Sequence, residues 1–194
     1  MAGENEAALD GAGSSRTSRR ACRGAEVHPG THRARLGGAI PPAECQGNHE
    51  LDPGRPPVRA VVDTNLVAYY LLGTPPYAGE ARRFWRAVGE TVAPALWEAE
   101  LANVVWMAVR SGVLKADEGA NRLDLAARLG IRSVPSKTLR LGALALSVES
   151  GVAVYDTLFV ELARRERLRL ATFDRKLLAA FPGTAARPGE LLRE

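Results

Sequence analysis

The segment Val58-Arg-Ala-Val-Val-Asp-Thr-Asn65 organises the rest of the chain. Its β-branched run Arg59–Val62 predicts a short buried strand, and the pattern of residues 65–72 predicts a helix directly after it. The strand ends on the carboxylate of Asp63. A buried charge at a strand end is costly unless it opens on a ligand crevice or is neutralised by a cation. The segment therefore raises the question of which other acidic residues join Asp63.

Composition predicts one folded domain behind an N-terminal leader. The 194 residues are 46% hydrophobic, which suffices for the core of a single domain. Residues 1–57 are rich in Gly, Ala, Ser, Pro and Arg and show no strand or helix periodicity, so we expect a disordered leader there. Residues 58–194 are the expected domain. The net charge of +4 only mildly favours an anionic partner such as nucleic acid.

The distribution of Cys and His excludes several kinds of site. Both cysteines and all three histidines lie within residues 1–57, so the expected domain cannot contain a Ser-His-Asp or Cys-His nucleophile, a Cys/His zinc site or a disulfide. No window approaches the roughly 20 apolar residues of a membrane helix, and no signal peptide is recognisable. We therefore expect a cytoplasmic protein with no membrane association.

Short strands alternate with helices through residues 58–194. Strands are predicted at residues 59–62, 91–93, 131–134, 168–172 and 184–187. Helices are predicted at residues 65–72, 77–88, 95–110, 115–129, 138–149, 157–166 and 175–181. The helix at 138–149 is so rich in leucine that we expect it to be largely core. This alternation predicts an α/β fold with a parallel sheet covered on both faces.

Four acidic residues are candidates for one site at the edge of that sheet. Asp63 and Asp174 each follow a predicted strand, and the carboxyl ends of parallel strands open on the same edge. Asp156 stands at the start of a predicted helix, where the simplest interpretation is an N-terminal cap. Glu98 and Glu100 lie about 200° apart on one helix, so only one can face the site. Asn103 shares the face of Glu100, which favours Glu100.

A cluster of four carboxylates would be destabilised by repulsion and desolvation unless a cation neutralised it. The oxygen ligands favour Mg²⁺ or Mn²⁺, either of which can activate water for phosphodiester hydrolysis. Polar residues near these acids are predicted to fix the carboxylates or bound waters: Thr64, Asn65, Asn103 and Thr172. A phosphatase with Asp63 as nucleophile is the other enzyme class considered. Haloacid-type phosphatases carry a second aspartate two residues on, where this chain has Asn65.

Four motifs together resemble a known family. Val61-Val-Asp63-Thr-Asn65, Glu100-Leu-Ala-Asn-Val104, Tyr155-Asp156-Thr-Leu-Phe159 and Ala171-Thr-Phe-Asp174-Arg-Lys-Leu177 resemble the acidic motifs of PIN domains, especially those of VapC-type toxins. The resemblance covers roughly residues 58–190. One departure is Phe173, because the family usually has a small residue before the last acid.

The resemblance implies a three-layer α/β/α sandwich with a central parallel sheet. It also implies Mg²⁺- or Mn²⁺-dependent cleavage of single-stranded RNA, homodimers, and inhibition by a small cognate antitoxin. The acids that match the family's catalytic and metal-binding positions are Asp63, Glu100, Asp156 and Asp174. The alternative is a PIN-like module that binds RNA or a partner without cutting; because such modules tend to lose these acids, the complete set favours the nuclease.

Overall fold

The computed structural model describes residues 57–193, so the expected leader lies outside the described residues apart from Pro57. Five strands are β1 Val58–Val62, β2 Val88–Pro94, β3 Arg132–Val134, β4 Arg169–Ala171 and β5 Ala185–Ala186. The helices are α1 Thr64–Leu72, α2 Ala78–Ala87, α3 Leu96–Arg110, α4 Ala116–Ala127, α5 Arg140–Ser150, α6 Val154–Glu166, α7 Arg175–Ala180 and α8 Pro188–Leu191. A short 3₁₀ turn, Ser136–Thr138, precedes α5. The predicted alternation of strands and helices is confirmed.

The strands form one parallel sheet in the order β3-β2-β1-β4-β5. From β1 the chain moves outward through β2 to β3, then returns to the other side of β1 for β4 and β5. The strand order therefore reverses between β1 and β4, where Val61 pairs with Leu170. In open parallel sheets ligands bind outside the carboxyl ends of the strands at such a reversal point. The topology places Asp63, the residue after β1, at this reversal point.

Helices cover the sheet in two groups, as the predicted fold class requires. On one side α1 contacts α2, α3 and α4, while α5 packs on α6 in a separate group. The α6 helix lies against β1, β2 and β4. Because β1 is covered on both faces, its residues Ala60–Val62 are fully buried. Their apolar, β-branched side chains suit such a central strand.

The start of α6 differs from the sequence prediction. The helix begins at Val154 rather than at Thr157, and Ala153 occupies the capping position. Asp156 therefore lies inside the first helical turn, and the interpretation of Asp156 as an N-terminal cap is wrong. The chain also forms α8, which the sequence analysis did not predict, with Pro188 in its first turn and Arg187 N–H donating to Glu190. Proline suits a first helical position because its missing N–H is not needed there.

The expectation that the helix at 138–149 is largely core is only half right. Leu139, Ala143 and Leu146 are buried, and α5 packs on α6. The exposed fractions of Leu141, Leu144 and Val148 are 75%, 51% and 79%. A helix packed on one side buries only one stripe, so a sequence that is apolar all round leaves a second apolar face on the surface. We call this exposed set the α5 face.

Among the described residues, no single helix has the length and hydropathy to cross a membrane. Only α5 and α6 taken together reach that apolar length, and they are bent by 114° relative to each other.

Candidate active site

Asp63 occupies the carboxyl end of the central strand β1. Its backbone N–H donates to the carbonyl of Ala171 at 3.1 Å, which continues the β1–β4 pairing by one residue. Its extended backbone and its side chain also cap α1, with Oδ1 accepting from Asn65 N–H at 3.5 Å. Only 8% of Asp63 is exposed. The residue thus stands at the reversal point of the sheet, at the N-terminus of a helix.

Two polar side chains fix the Asp63 carboxylate. Thr172 Oγ1 donates to Asp63 Oδ2 at 2.5 Å, and Asn65 Nδ2 donates to the same oxygen at 2.6 Å. Asn65 Nδ2 also lies 3.2 Å from Thr172 Oγ1, and Asn65 Oδ1 accepts from the N–H of Phe173 at 3.2 Å. The network joins the first turn of α1 to the end of β4. Asp63 is therefore held in one orientation before any ligand arrives.

Glu100 approaches the site from α3. Thr64 Oγ1 donates to Glu100 Oε2 at 2.5 Å, so the residue after Asp63 holds this second acid. Glu98 is exposed and accepts from Ser133 Oγ of the edge strand β3 at 2.5 Å. The two glutamates therefore lie on different faces of α3, as their spacing indicates.

Asp156 and Asp174 are partly buried at two other helix starts. Asp174 caps α7, where its Oδ1 accepts from the N–H groups of Lys176 at 2.6 Å and Leu177 at 3.1 Å. The N–H of Asp174 donates to Thr172 Oγ1 at 2.9 Å, so Thr172 contacts two of the predicted acids. Asn103, predicted to assist the acids, is exposed on α3. The side chains that donate to the acids are those of Thr64, Asn65 and Thr172.

Burial dominates the electrostatics of Asp63. Burial raises its pKa to about 7, although hydrogen bonds from Thr172 and Asn65 act to lower it. The negative charges of Glu100 and Asp156 raise this pKa further. Asp63 is therefore within electrostatic reach of both acids.

The other acids respond to one another in the same way. Burial raises the pKa of Glu100; the hydrogen bond from Thr64 opposes this rise and the charge of Asp156 adds to it. Burial and the charge of Asp174 raise the pKa of Asp156, while the charge of Lys176 lowers it. Each acid is thus electrostatically linked to at least one other acid. Such mutual repulsion favours binding of a cation or a proton.

The acids supply suitable donors for a hard divalent cation. With the side chains as they stand, no three Asp, Glu, His or Cys residues within 57–193 are placed to hold one metal ion together. Mg²⁺ keeps several waters and is often bound through one or two carboxylates together with substrate phosphates. The oxygen donors present, with Asp63 fixed by hydrogen bonds, therefore fit Mg²⁺ or Mn²⁺ held largely through water.

Two tyrosines beside the acids, Tyr69 and Tyr77, were not among the sequence predictions. The rings of Tyr69 and Tyr77 stack, and both approach the ring of Phe173. Tyr69 lies four residues after Asn65 and so shares its face of α1, a spacing that could have identified it. No local pattern could have identified Tyr77, because the tertiary structure alone brings it to Phe173.

The family match agrees with this description of the domain. The model of the family described as "PIN domain" matches residues 60–182. Over 87 residues the chain is 37% identical to Ribonuclease VapC3 of Pyrobaculum aerophilum, an alignment that covers 43% of this chain and 65% of that protein. The chain thus matches slightly less than two thirds of that relative's length. A solved chain described as a toxin-antitoxin complex from Klebsiella pneumoniae is 21% identical, with a TM-score of 0.48; the match covers 66% of this chain and 97% of that one.

Proposed function

Because the chain belongs to the PIN domain family, we propose that it is an endoribonuclease that cleaves single-stranded RNA with Mg²⁺ or Mn²⁺. The observation that carries this proposal is the gathering of Asp63, Glu100, Asp156 and Asp174 at the carboxyl edge of the sheet, with their charges acting on one another. We further propose that the protein is the toxin of a toxin–antitoxin pair and acts in the cytoplasm. The likeness to a ribonuclease of the VapC type supports the proposals of a ribonuclease and of a toxin.

Three of the acids are oriented by the protein itself. Thr172 and Asn65 hold Asp63, Thr64 holds Glu100, and the free backbone amides at the start of α7 hold Asp174. Side chains fixed in advance need little reorganisation during reaction, which is a major source of catalytic rate.

The residues that would hold the ion, largely through bound waters, are the four acids Asp63, Glu100, Asp156 and Asp174. When bound, Mg²⁺ or Mn²⁺ supplies positive charge that lowers the pKa of water and stabilises negative charge on the scissile phosphate. Lys176 and Arg175 are exposed in the first turn of α7, beside Asp174, and we assign them to contacts with RNA phosphates.

Cleavage of a defined substrate tests the proposed function. Purified protein is incubated with a fluorescent single-stranded RNA, its DNA counterpart and a double-stranded RNA, each with Mg²⁺, Mn²⁺ or EDTA. We expect internal cleavage of the single-stranded RNA with either metal and none with EDTA. Binding of RNA without cleavage under all of these conditions would support the alternative of a non-catalytic binding module.

A second copy of the chain is the partner we propose for the α5 face. Leu141, Leu144 and Val148 form an exposed apolar stripe, with the exposed Ala145 between them. Exposed apolar patches of this kind commonly mark interfaces. In a two-fold symmetric dimer the same patch meets itself, and an uncharged stripe does so without opposing like charges.

An antitoxin is the partner that the family resemblance implies. We expect expression of this chain alone to arrest growth of its host. Co-expression of a small protein encoded beside its gene is expected to restore growth and to yield a complex of defined stoichiometry. Growth arrest that no neighbouring gene relieves would argue against a toxin–antitoxin pair, while leaving the nuclease assay unaffected.

A further inference from the structure

An aromatic cluster adjoins the acidic site. The rings of Tyr69 and Tyr77 stack with centroids 4.5 Å apart and planes 11° from parallel. The ring of Phe173 lies 4.9 Å from Tyr77 and 5.7 Å from Tyr69. Phe173 is buried, whereas Tyr69 and Tyr77 are each partly exposed. The cluster therefore presents two tyrosines to solvent above a buried phenylalanine.

This cluster is joined to the acids through the backbone and α1. Phe173 lies between Thr172, which donates to Asp63, and Asp174. Its N–H donates to Asn65 Oδ1, and Tyr69 follows Asn65 by one turn of α1. Burial raises the pKa of Tyr69, and the charges of Tyr77, Asp63 and Asp174 raise it further, so the phenol lies within electrostatic reach of the acids.

A cationic side chain beside the aromatic cluster, that of Arg187, is already paired with a carboxylate. The guanidinium of Arg187 lies 5.3 Å from the centroid of the Phe173 ring. The same guanidinium pairs with Glu80, with Nη2 at 2.6 Å and Nε at 3.4 Å from its carboxylate oxygens. A phosphate bound here would compete with Glu80 for Arg187 and would be repelled by the nearby acids. An uncharged aromatic ligand neither breaks this ion pair nor is repelled by the carboxylates.

We propose that Tyr69 and Tyr77 form a subsite that stacks one unpaired base of the RNA next to the scissile phosphate. The proposal rests on the proposed ribonuclease function. Stacking of bases on aromatic side chains is strong for every base, since each has a π face. It also supplies attraction that does not depend on the phosphate backbone, which the four carboxylates repel when no cation is bound. The subsite favours single-stranded RNA, because a paired base reaches the tyrosines only after its pairing and stacking are broken.

Abasic substitutions in the RNA test the subsite. A single-stranded RNA with one cleavage site is synthesised with each nucleotide near that site replaced in turn by an abasic one. With the wild-type protein we expect one abasic position to raise KM about tenfold, within the range for loss of a stacked base. With Tyr69→Leu, which keeps an apolar side chain but removes the ring, KM is expected to rise similarly for the intact RNA. The rise in KM caused by the abasic nucleotide, which we call the abasic penalty, should then disappear at that position.

Conservative variants separate stacking from packing. Tyr69→Phe keeps the ring and is expected to retain both the wild-type KM and the abasic penalty. Trp106→Ala removes an exposed aromatic ring from α3 outside the cluster and is expected to change neither. Thermal melting checks that each variant is folded. An abasic penalty that is as large in Tyr69→Leu as in the wild type would overturn the proposal, as would a fall in kcat with no change in KM.

Binding without catalysis distinguishes failure of the subsite from failure of the proposed function. In EDTA, fluorescence anisotropy of the intact and abasic RNAs is measured with the wild type and Tyr69→Leu. A base-dependent loss of affinity confined to the wild type supports the subsite even if no RNA is ever cut. Equal affinities of both proteins for both RNAs would overturn the subsite, whatever the cleavage assay shows.

Discussion

The hydroxyl of Thr172 donates to the carboxylate of Asp63 at 2.5 Å, and these two residues, 109 apart in the chain, follow the adjacent strands β4 and β1. Thr172 Oγ1 also accepts from the N–H of Asp174. Thr172 is completely buried, so solvent cannot replace these contacts. The hydroxyl of Thr172 thus holds the side chain of Asp63 and the backbone of Asp174.

Thr172→Val tests this role, because valine has nearly the same shape but no hydroxyl. We expect RNA cleavage to fall about 10- to 100-fold, the usual cost of removing a group that orients a metal ligand. The free energy of unfolding should fall by about 1–3 kcal/mol, because polar groups buried around the site lose a partner. Steady-state cleavage and urea denaturation measure the two effects. Thr172→Ser keeps the hydroxyl, and a loss as large as that of valine would contradict the orienting role.

Glu100→Gln and Glu98→Gln form a matched pair on α3. Glu100 faces the other acids, so we expect Glu100→Gln to reduce cleavage at least about 100-fold, in keeping with loss of an essential group. Glu98 is exposed and bonded to Ser133, so Glu98→Gln should remain within about twofold of the wild type. Initial rates at saturating Mn²⁺ give the comparison. Equal losses in both variants would show that Glu100 has no special role.

The raised pKa of Asp63 predicts how the stability of the metal-free protein depends on pH. The folded-state pKa of about 7 exceeds the ordinary value of 3.8, so the folded state binds the extra proton between these values. Stability therefore falls as pH rises from about 4 to about 7, and the lost contribution is up to about 4 kcal/mol. Asp63→Asn should be more stable than the wild type at pH 8 in EDTA, with little difference at pH 4.

Thermal and urea unfolding at both pH values measure this difference. We also expect Mg²⁺ to raise the Tm of the wild type at pH 8 more than that of Asp63→Asn, because a ligand that binds only the folded state stabilises it. If Asp63→Asn were less stable than the wild type at pH 8 without metal, burial and the neighbouring acids would not destabilise the ionised carboxylate of Asp63.

The α5 face predicts an oligomeric state that one substitution can change. Val148 is 79% exposed, so Val148→Asp should leave the stability of the protomer within about 0.5 kcal/mol. A charge in an apolar interface should nevertheless convert a dimer to a monomer. Val113→Asp changes another exposed valine, 52% exposed beyond α3, and should leave the dimer intact. Light scattering after size-exclusion chromatography reports the mass, and a monomeric wild type at 100 μM would refute the proposed dimer.

Much of the fold was predictable from local patterns. The run before Asp63 predicted β1, and strands alternating with helices predicted the parallel sheet, because apolar periodicity reflects which faces are buried. The start of α6 was misplaced by three residues, since the residues Val152–Val154 suit a strand as well as a helix. The burial of α5 was overestimated, because leucine content shows how apolar a helix is and not how many neighbours cover it.

The sequence by itself determined which acids stand at strand ends and helix starts, that Glu98 and Glu100 cannot face the same site, and that no Cys or His from residues 58–194 takes part. These are consequences of residue identity and of the fixed periods of helix and strand. Only the tertiary structure decided that Thr172 donates to Asp63, that Thr64 holds Glu100, and that Tyr77 meets Phe173. Such contacts join segments far apart in the chain, so they depend on strand order and register, which no local pattern encodes.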